Sequence, residues 1–338
     1  MLAGFLALFR ATGSADFNTL AELARAGAIG PLLAETFPAL GAAALGWIFL
    51  LVFLGLAVKV PVFPLHTWLP DAYSEAPTPV TILLTGLLSK MGIYGLLRIL
   101  LPIFPQSMQA ALVPLLWLAV ATIVLSALAA LRQTDLKRML AYSSVNHLGY
   151  CLLGLFAVSG AAGQGADWGN QSAALGGVLL QVFNHGIIAG AIFCFVAFMQ
   201  NRSDGRCGLH DFGGLRAKAP VLAGLMGIAV FASLGLPGLS GFAGEFLIFK
   251  GAFALAPAAT AVAAFGLLLT AVFLLRMQRL VFHGPTAEHC ASFPDLRLGE
   301  RLTVLPALGL IFLLGLWPQA LLHVFSADLL QLLQHLPE

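Results

Sequence analysis

Five ionisable side chains stand within or beside stretches of sequence that are otherwise apolar: Lys59, Lys90, His147, His185 and Glu245. Lys90 lies eleven residues from either end of the run 79–101, His147 near the middle of 136–158, and His185 near the middle of 172–199. Glu245 follows the stretch Gly235-Leu-Pro-Gly-Leu-Ser-Gly241, and Lys59 opens Lys-Val-Pro-Val-Phe-Pro64. A charge at bilayer depth costs about 3 kcal/mol on insertion scales and more in simulations, so such groups turn toward a bundle interior, paired or hydrated. Lysine, glutamate and histidine can each gain and lose a proton near neutral pH once burial and neighbouring charges act on them. Arginine cannot, and none of the five is one. The chemistry these types can perform together is proton relay. A single buried histidine is more often a satisfied core residue. Lys90 is harder to explain that way, because a lysine stem snorkels from about one turn inside a helix end and not from three. Lys250 lies one turn beyond Glu245 toward a helix end, where it can snorkel or pair; it is an accessory candidate, as are Asp71 and Glu75.

Other chemistries have weaker support. His66, Asp71 and Glu75 could be read as an intramembrane metal site, but their spacing matches no HExxH pattern and they fall at a turn beside prolines. There Asp71 and Glu75 are expected to cap or orient the next helix. The four cysteines, Cys151, Cys194, Cys207 and Cys290, include no CxxC pair, which argues against an iron–sulfur or zinc site of protein thiolates. No GxGxxG opens a helix after a strand. The chain is expected to bind no cofactor and no metal itself.

The elements that must position these residues follow from composition. Of 338 residues, 17 are Lys or Arg and 15 are Asp or Glu; charged residues make up 9% and hydrophobic ones 59%. Soluble domains carry about a quarter charged residues, so the reading is a multi-pass membrane protein. A net charge of +2 carries no nucleic-acid signature. Eight apolar regions are long enough to span: 40–60, 79–101, 108–131, 136–158, 172–199, 220–255, 258–282 and 302–324. Runs of about 20 residues suit helices, whereas a membrane barrel needs ten-residue alternation. The fold class is therefore an all-α transmembrane bundle.

Two regions carry helix breakers. Proline removes a donor and clashes with the preceding turn, so 59–64, continuing through 65–69, and 235–241 are expected to be discontinuous helices. Freed backbone groups are tolerated at membrane depth only against protein or a watery cavity, as in ion-coupled transporters. Residues 1–9 are too short to span, and 11–37 read as an exposed stretch. Eleven basic residues border the odd-numbered connections between spans, against Arg98, Arg10 and Arg25 elsewhere. The positive-inside rule places the odd connections in the cytoplasm.

Several motifs together resemble one family. The run Lys59-Val-Pro-Val-Phe-Pro-Leu-His-Thr-Trp-Leu-Pro-Asp-Ala72, then Glu75-Ala-Pro-Thr-Pro and Leu88-Ser-Lys-Met-Gly-Ile-Tyr-Gly-Leu-Leu-Arg98, is similar to the antiporter-like subunits of respiratory complex I. So are Gln133-Thr-Asp-Leu-Lys-Arg-Met-Leu-Ala-Tyr-Ser-Ser-Val-Asn-His147, Asn184-His185 and 235–246. A lysine at position 90, the Glu-Ala-Pro-Thr-Pro turn and Gly-Glu-Phe at 244–246 resemble the chain M type. The resemblance implies fourteen helices in two inverted five-helix repeats and a central polar axis of Lys59, Lys90, His147, His185 and Glu245. It also implies L-type and N-type antiporter-like chains as partners in the bilayer, with NADH, FMN, iron–sulfur clusters and quinone held elsewhere in the complex. The pattern departs before residue 40, where about five and a half helices are missing, including one whose glutamate would pair with Lys59. The expectation is an incomplete first repeat over 1–107, a whole second repeat over 108–282, and a C-terminal loop, helix and tail over 283–338. A cation/proton antiporter subunit, the membrane subunit of a hydrogenase-type complex and a non-conducting remnant are the alternatives.

Overall fold

The computed structural model describes residues 1–161 and 168–334, and among the described residues there are helices and no strands. Three short helices, α1 (Leu2–Thr12), α2 (Phe17–Arg25) and α3 (Ile29–Thr36), come first. The segment expected as an exposed stretch is thus folded. Leu20 and Ala24 on α2, and Ile29 and Leu33 on α3, recur at four-residue spacing and form buried stripes. Asp16 caps α2 by accepting from the Thr19 amide at 2.9 Å.

Helix α4 (Ala44–Lys59) stops where Pro61 and Pro64 follow, and the chain turns through 60–67 before α5 (Trp68–Glu75). The helix therefore resumes at Trp68, slightly later than expected, with Pro70 in its first turn, where a missing amide costs little. Then comes α6 (Thr78–Ile103), with two π-helical turns at Leu84–Leu88 and Leu96–Leu100. After α7 (Pro105–Ala110) follow the long helices α8 (Leu112–Arg132), α9 (Leu136–Ala161) and α10 (Trp168–Gln200). The region 220–255 is divided into α11 (Pro220–Ser233) and α12 (Ser240–Leu255), and α13 (Pro257–Phe282) succeeds them. The region read as a span over 302–324 is instead α14 (Leu298–Leu316), halted before Pro318, and a separate α15 (Gln319–Gln334). Hydropathy averages over a proline that ends a helix.

Among the described residues seven helices are long and apolar enough to cross a bilayer, one fewer than the eight regions expected, because 220–255 is split into two helices too short to span alone; the protein is an integral membrane protein. The most apolar stretch of α9 is 94% buried, which makes α9 the centre of the bundle. Beside it α10 and α12 approach closely over small residues. A methyl added at Gly177 would stand 2.5 Å from the Ile248 backbone nitrogen, and one at Gly244 would stand 2.8 Å from Gln181 Oε1.

The three connections richest in basic residues gather at one face, together with the turn between α5 and α6. Lys137 donates to the Ala76 carbonyl at 2.9 Å, Arg138 pairs with Asp71 at 2.9 Å, and Arg276 donates to the Leu131 and Gln133 carbonyls at 3.1 and 3.2 Å. Arg202 binds Glu300 and the Pro294 carbonyl, while the Asp295 carboxylate accepts from the Val221 and Leu222 amides at 2.9 and 3.0 Å. An acidic group across those amides serves the N-terminus of α11.

Candidate functional site

Four helices each deliver one ionisable side chain to the bundle interior: Lys90 from α6, His185 from α10, His147 from α9 and Glu245 from α12. All four are buried, between 2% and 7% exposed, so none is solvated from outside. Lys90 follows the first π turn of its helix, a distortion common at functional positions. Its Nζ donates to the Thr85 carbonyl, to Ser89 Oγ at 3.3 Å and to His185 Nδ1 at 2.8 Å. An ammonium only donates, so His185 Nδ1 accepts and the ring proton is assigned to Nε2.

His147 is held from both sides. Its Nδ1 lies 3.1 Å from Glu245 Oε1 and its Nε2 lies 3.1 Å from Ser233 Oγ. A carboxylate accepts only, so with Glu245 ionised His147 donates through Nδ1. Gln181 Nε2 adds a second donor to Glu245 Oε1 at 3.2 Å. Between the two pairs, the His147 and His185 rings sit 5.0 Å apart at 42°, without a hydrogen bond. Ser233 is the last residue of α11, and Glu245 is on α12, so the break at 234–239 brings both to one imidazole. Gly235 at φ 77° makes that approach possible; a methyl there would be 2.8 Å from Glu245 Oε2.

The surroundings fix this arrangement. Tyr150 stands edge-on to His147 with ring centroids 5.5 Å apart and lies 3.0 Å from Thr270 Oγ1. Thr270 lies 2.9 Å from Asn146 Oδ1, and Asn146 Nδ2 donates to the Ile123 carbonyl at 2.8 Å. This buried string ties α9 to α13 and α8. Thr85 and Ser144 hydroxyls meet at 3.2 Å beside Lys90.

The remaining candidates stand apart. Lys59 ends α4 half-buried, with no hydrogen bond or ion pair to any described residue. His66 lies between the Phe63 and Tyr142 rings at 5.6 and 6.1 Å. Asp71 does not serve the following helix; it pairs with Arg138 of α9. Glu75 is exposed at the end of α5, whose last carbonyls are served by Lys137. Lys250 is exposed on α12, away from Glu245. His66, Asp71 and Glu75 do not converge, and among the described residues no group of three His, Cys, Asp or Glu side chains could hold a metal ion. Sequence reasoning missed Gln181, Ser233 and Lys137. The signal for Gln181 was present: it precedes His185 by four residues, one helical turn, within an apolar run.

Comparison with known proteins places this geometry in a family. A family described as NADH:quinone oxidoreductase/Mrp antiporter, transmembrane, matches residues 1–270. NADH-quinone oxidoreductase subunit M of Rickettsia bellii is 38% identical over 283 residues, covering 83% of this chain and 55% of that protein. Subunit M of Escherichia coli is 38% identical over 273 residues, covering 80% and 51%. The chain thus spans about half the length of the curated relatives it matches. A chain in the respiratory complex I of Thermus thermophilus with bound NADH superposes with TM-score 0.77 at 30% identity, covering 98% of this chain and 69% of that one. The fold is also that of a chain in the Mrp complex from Dietzia, with TM-score 0.80 at 22% identity, covering 100% and 67%. With a family match over most of its length and the same helical architecture, the chain belongs to the NADH:quinone oxidoreductase/Mrp antiporter transmembrane family.

Proposed function

We propose that this chain moves protons in the membrane arm of an NADH:quinone oxidoreductase. The observation that carries the reading is the buried pair of hydrogen-bonded couples, Lys90 with His185 and His147 with Glu245, meeting ring to ring inside a membrane bundle. Quinone reduction on other subunits biases the charge at one end of the line. The coupled protonation states of the four groups then pass that bias along, and a proton moves with it. Lys59 is the outlying member of the relay; Lys250, Asp71 and Glu75 are at most accessory. On this reading α4 with α5, and α11 with α12, are two interrupted spans whose loosened backbone lines the polar interior. Residues 108–282 form one complete repeat, and the basic connections face the cytoplasm of a bacterial cell. NADH, FMN, iron–sulfur clusters and quinone belong to other subunits, and L-type and N-type antiporter-like chains are the neighbours. The subunit M relatives favour this reading over a cation/proton antiporter or a hydrogenase-type subunit.

The test replaces Lys90 by Met and Glu245 by Gln in the assembled complex, in membrane vesicles. NADH oxidation and the amount of complex are measured beside proton uptake per NADH. Fewer protons per NADH at normal assembly is the expected result. Parent-like pumping by both variants overturns the relay and leaves the non-conducting alternative.

A further inference from the structure

Two hydrogen-bonding atoms inside the site have no partner among the described residues. His185 gives Nδ1 to Lys90, so its ring proton is on Nε2, and no described residue accepts it. Gln181 Nε2 donates to Glu245 Oε1 at 3.2 Å and lies 3.5 Å from His147 Nδ1, itself a donor to Glu245, and its Oε1, fully buried, receives no proton. Residues 181 and 185 are one turn apart on α10 and share a face. The acceptor without a donor and the donor without an acceptor therefore flank the one place where the line of hydrogen bonds stops, the 5.0 Å gap between the two imidazole rings.

We propose that Gln181 is the positioning residue that joins the two halves of the line. Adjustment of the inner side-chain torsions of Gln181, since the terminal one would carry Nε2 away as it moved Oε1, pivots the planar amide about Nε2 so that Oε1 turns toward His185 Nε2–H while the NH2 group stays beside Glu245. The amide neither gains nor loses a proton. It holds His185 and Glu245 in one hydrogen-bonded string, so that a charge change at one is felt at the other. The titratable groups around it are His185 on its own helix, His147, Tyr150 and Cys151 from α9, Glu245 from α12 and, through His185, Lys90 from α6. Gln181 Oε1 lies against Gly244, where an added methyl would stand 2.8 Å from it, so the missing side chain at 244 leaves room for the amide. The inference rests on the relay reading above.

The experiment uses the assembled complex in membrane vesicles, with proton uptake per NADH measured across pH. Gln181→Met keeps the shape and removes both polar atoms. It is expected to lower uptake at least twofold and to shift the acid limb of the pH profile by about one unit, the consequence of losing one hydrogen bond to a charged group. Gln181→His keeps a donor and an acceptor at similar reach while its imidazole is neutral, and is expected to restore uptake on the alkaline side of the profile, the new ring adding its own titration to the acid limb. Parent-like pumping with an unmoved limb in Gln181→Met overturns the proposal. So does a His variant as defective as the Met one, since that reports packing alone. If Gln181→Met does not assemble, Gln181→Asn draws the amide back by about 1.5 Å and must show the same shift; an unmoved limb there also overturns it. A parent-like Glu245→Gln sinks the relay itself, whereas a defective Glu245→Gln beside a parent-like Gln181→Met sinks only the role of Gln181.

Discussion

Gly177→Ala is the most informative packing variant. The new methyl would meet the Ile248 nitrogen at 2.5 Å, the Gly244 carbonyl oxygen at 2.9 Å and the Leu247 carbonyl carbon at 2.9 Å. All three are backbone atoms of a helix, so no flexible side chain can yield. Reaching ordinary separation requires α10 and α12 to part by about 1 Å. Overpacking of this kind costs about 1–3 kcal/mol, and the gain in helix propensity from Gly to Ala returns about 0.5–1 kcal/mol. The net expectation is a loss of about 1–2 kcal/mol, read as a fall of about 2–4 °C in the thermal inactivation midpoint of the assembled complex. Because α10 carries Gln181 and His185 and α12 carries Glu245, proton uptake per NADH should fall further than stability alone explains. Gly224→Ala is the control, since a methyl there meets nothing within 4 Å, and it should hold or raise the midpoint. Equal midpoints and equal pumping for the two variants would refute the argument from helix proximity.

Lys137→Met should loosen the junction after α5, because the ammonium donates to the Ala76 carbonyl at 2.9 Å from a side chain only 5% exposed. The expected cost is about 1.5–3 kcal/mol, and amide exchange over 68–78 that matches the parent would count against it. Cys207, in the connection after α10, is pushed up to about 12 by burial, with Asp135 adding to the effect. Its thiolate is therefore scarce at neutral pH, and maleimide should label it about a thousandfold more slowly than an exposed thiol. Cys207→Ser assigns the signal, and labelling as fast as a surface thiol would contradict the burial.

Lys90, His147, His185 and Glu245 were legible because a titratable group within a long apolar run is costly and rare, and cost is visible in one dimension. Their convergence was not. Nothing in the spacing 90, 147, 185 and 245 says that one ammonium meets one imidazole at 2.8 Å. Gln181 and Ser233 stayed hidden for a different reason. Neutral polar side chains lower hydropathy only slightly, so they raise no signal until a partner is seen. The breaks at 60–67 and 234–239 were readable from proline and glycine, whereas the π turns of α6 have no such punctuation. Residues 11–37 are mostly exposed or half-buried, as read, but their helices went unseen because the apolar stripes are only two positions long on each and are buried only once packed.

The Asp295 carboxylate ties α11 to a loop more than seventy residues away, and the opposite end of that helix touches His147. A fourteen-residue helix is a rod of about 21 Å, far stiffer along its axis than the loops at either tip. One short rod therefore carries an acidic anchor at its polar tip and, at its other tip, a hydroxyl against an imidazole in the oily centre.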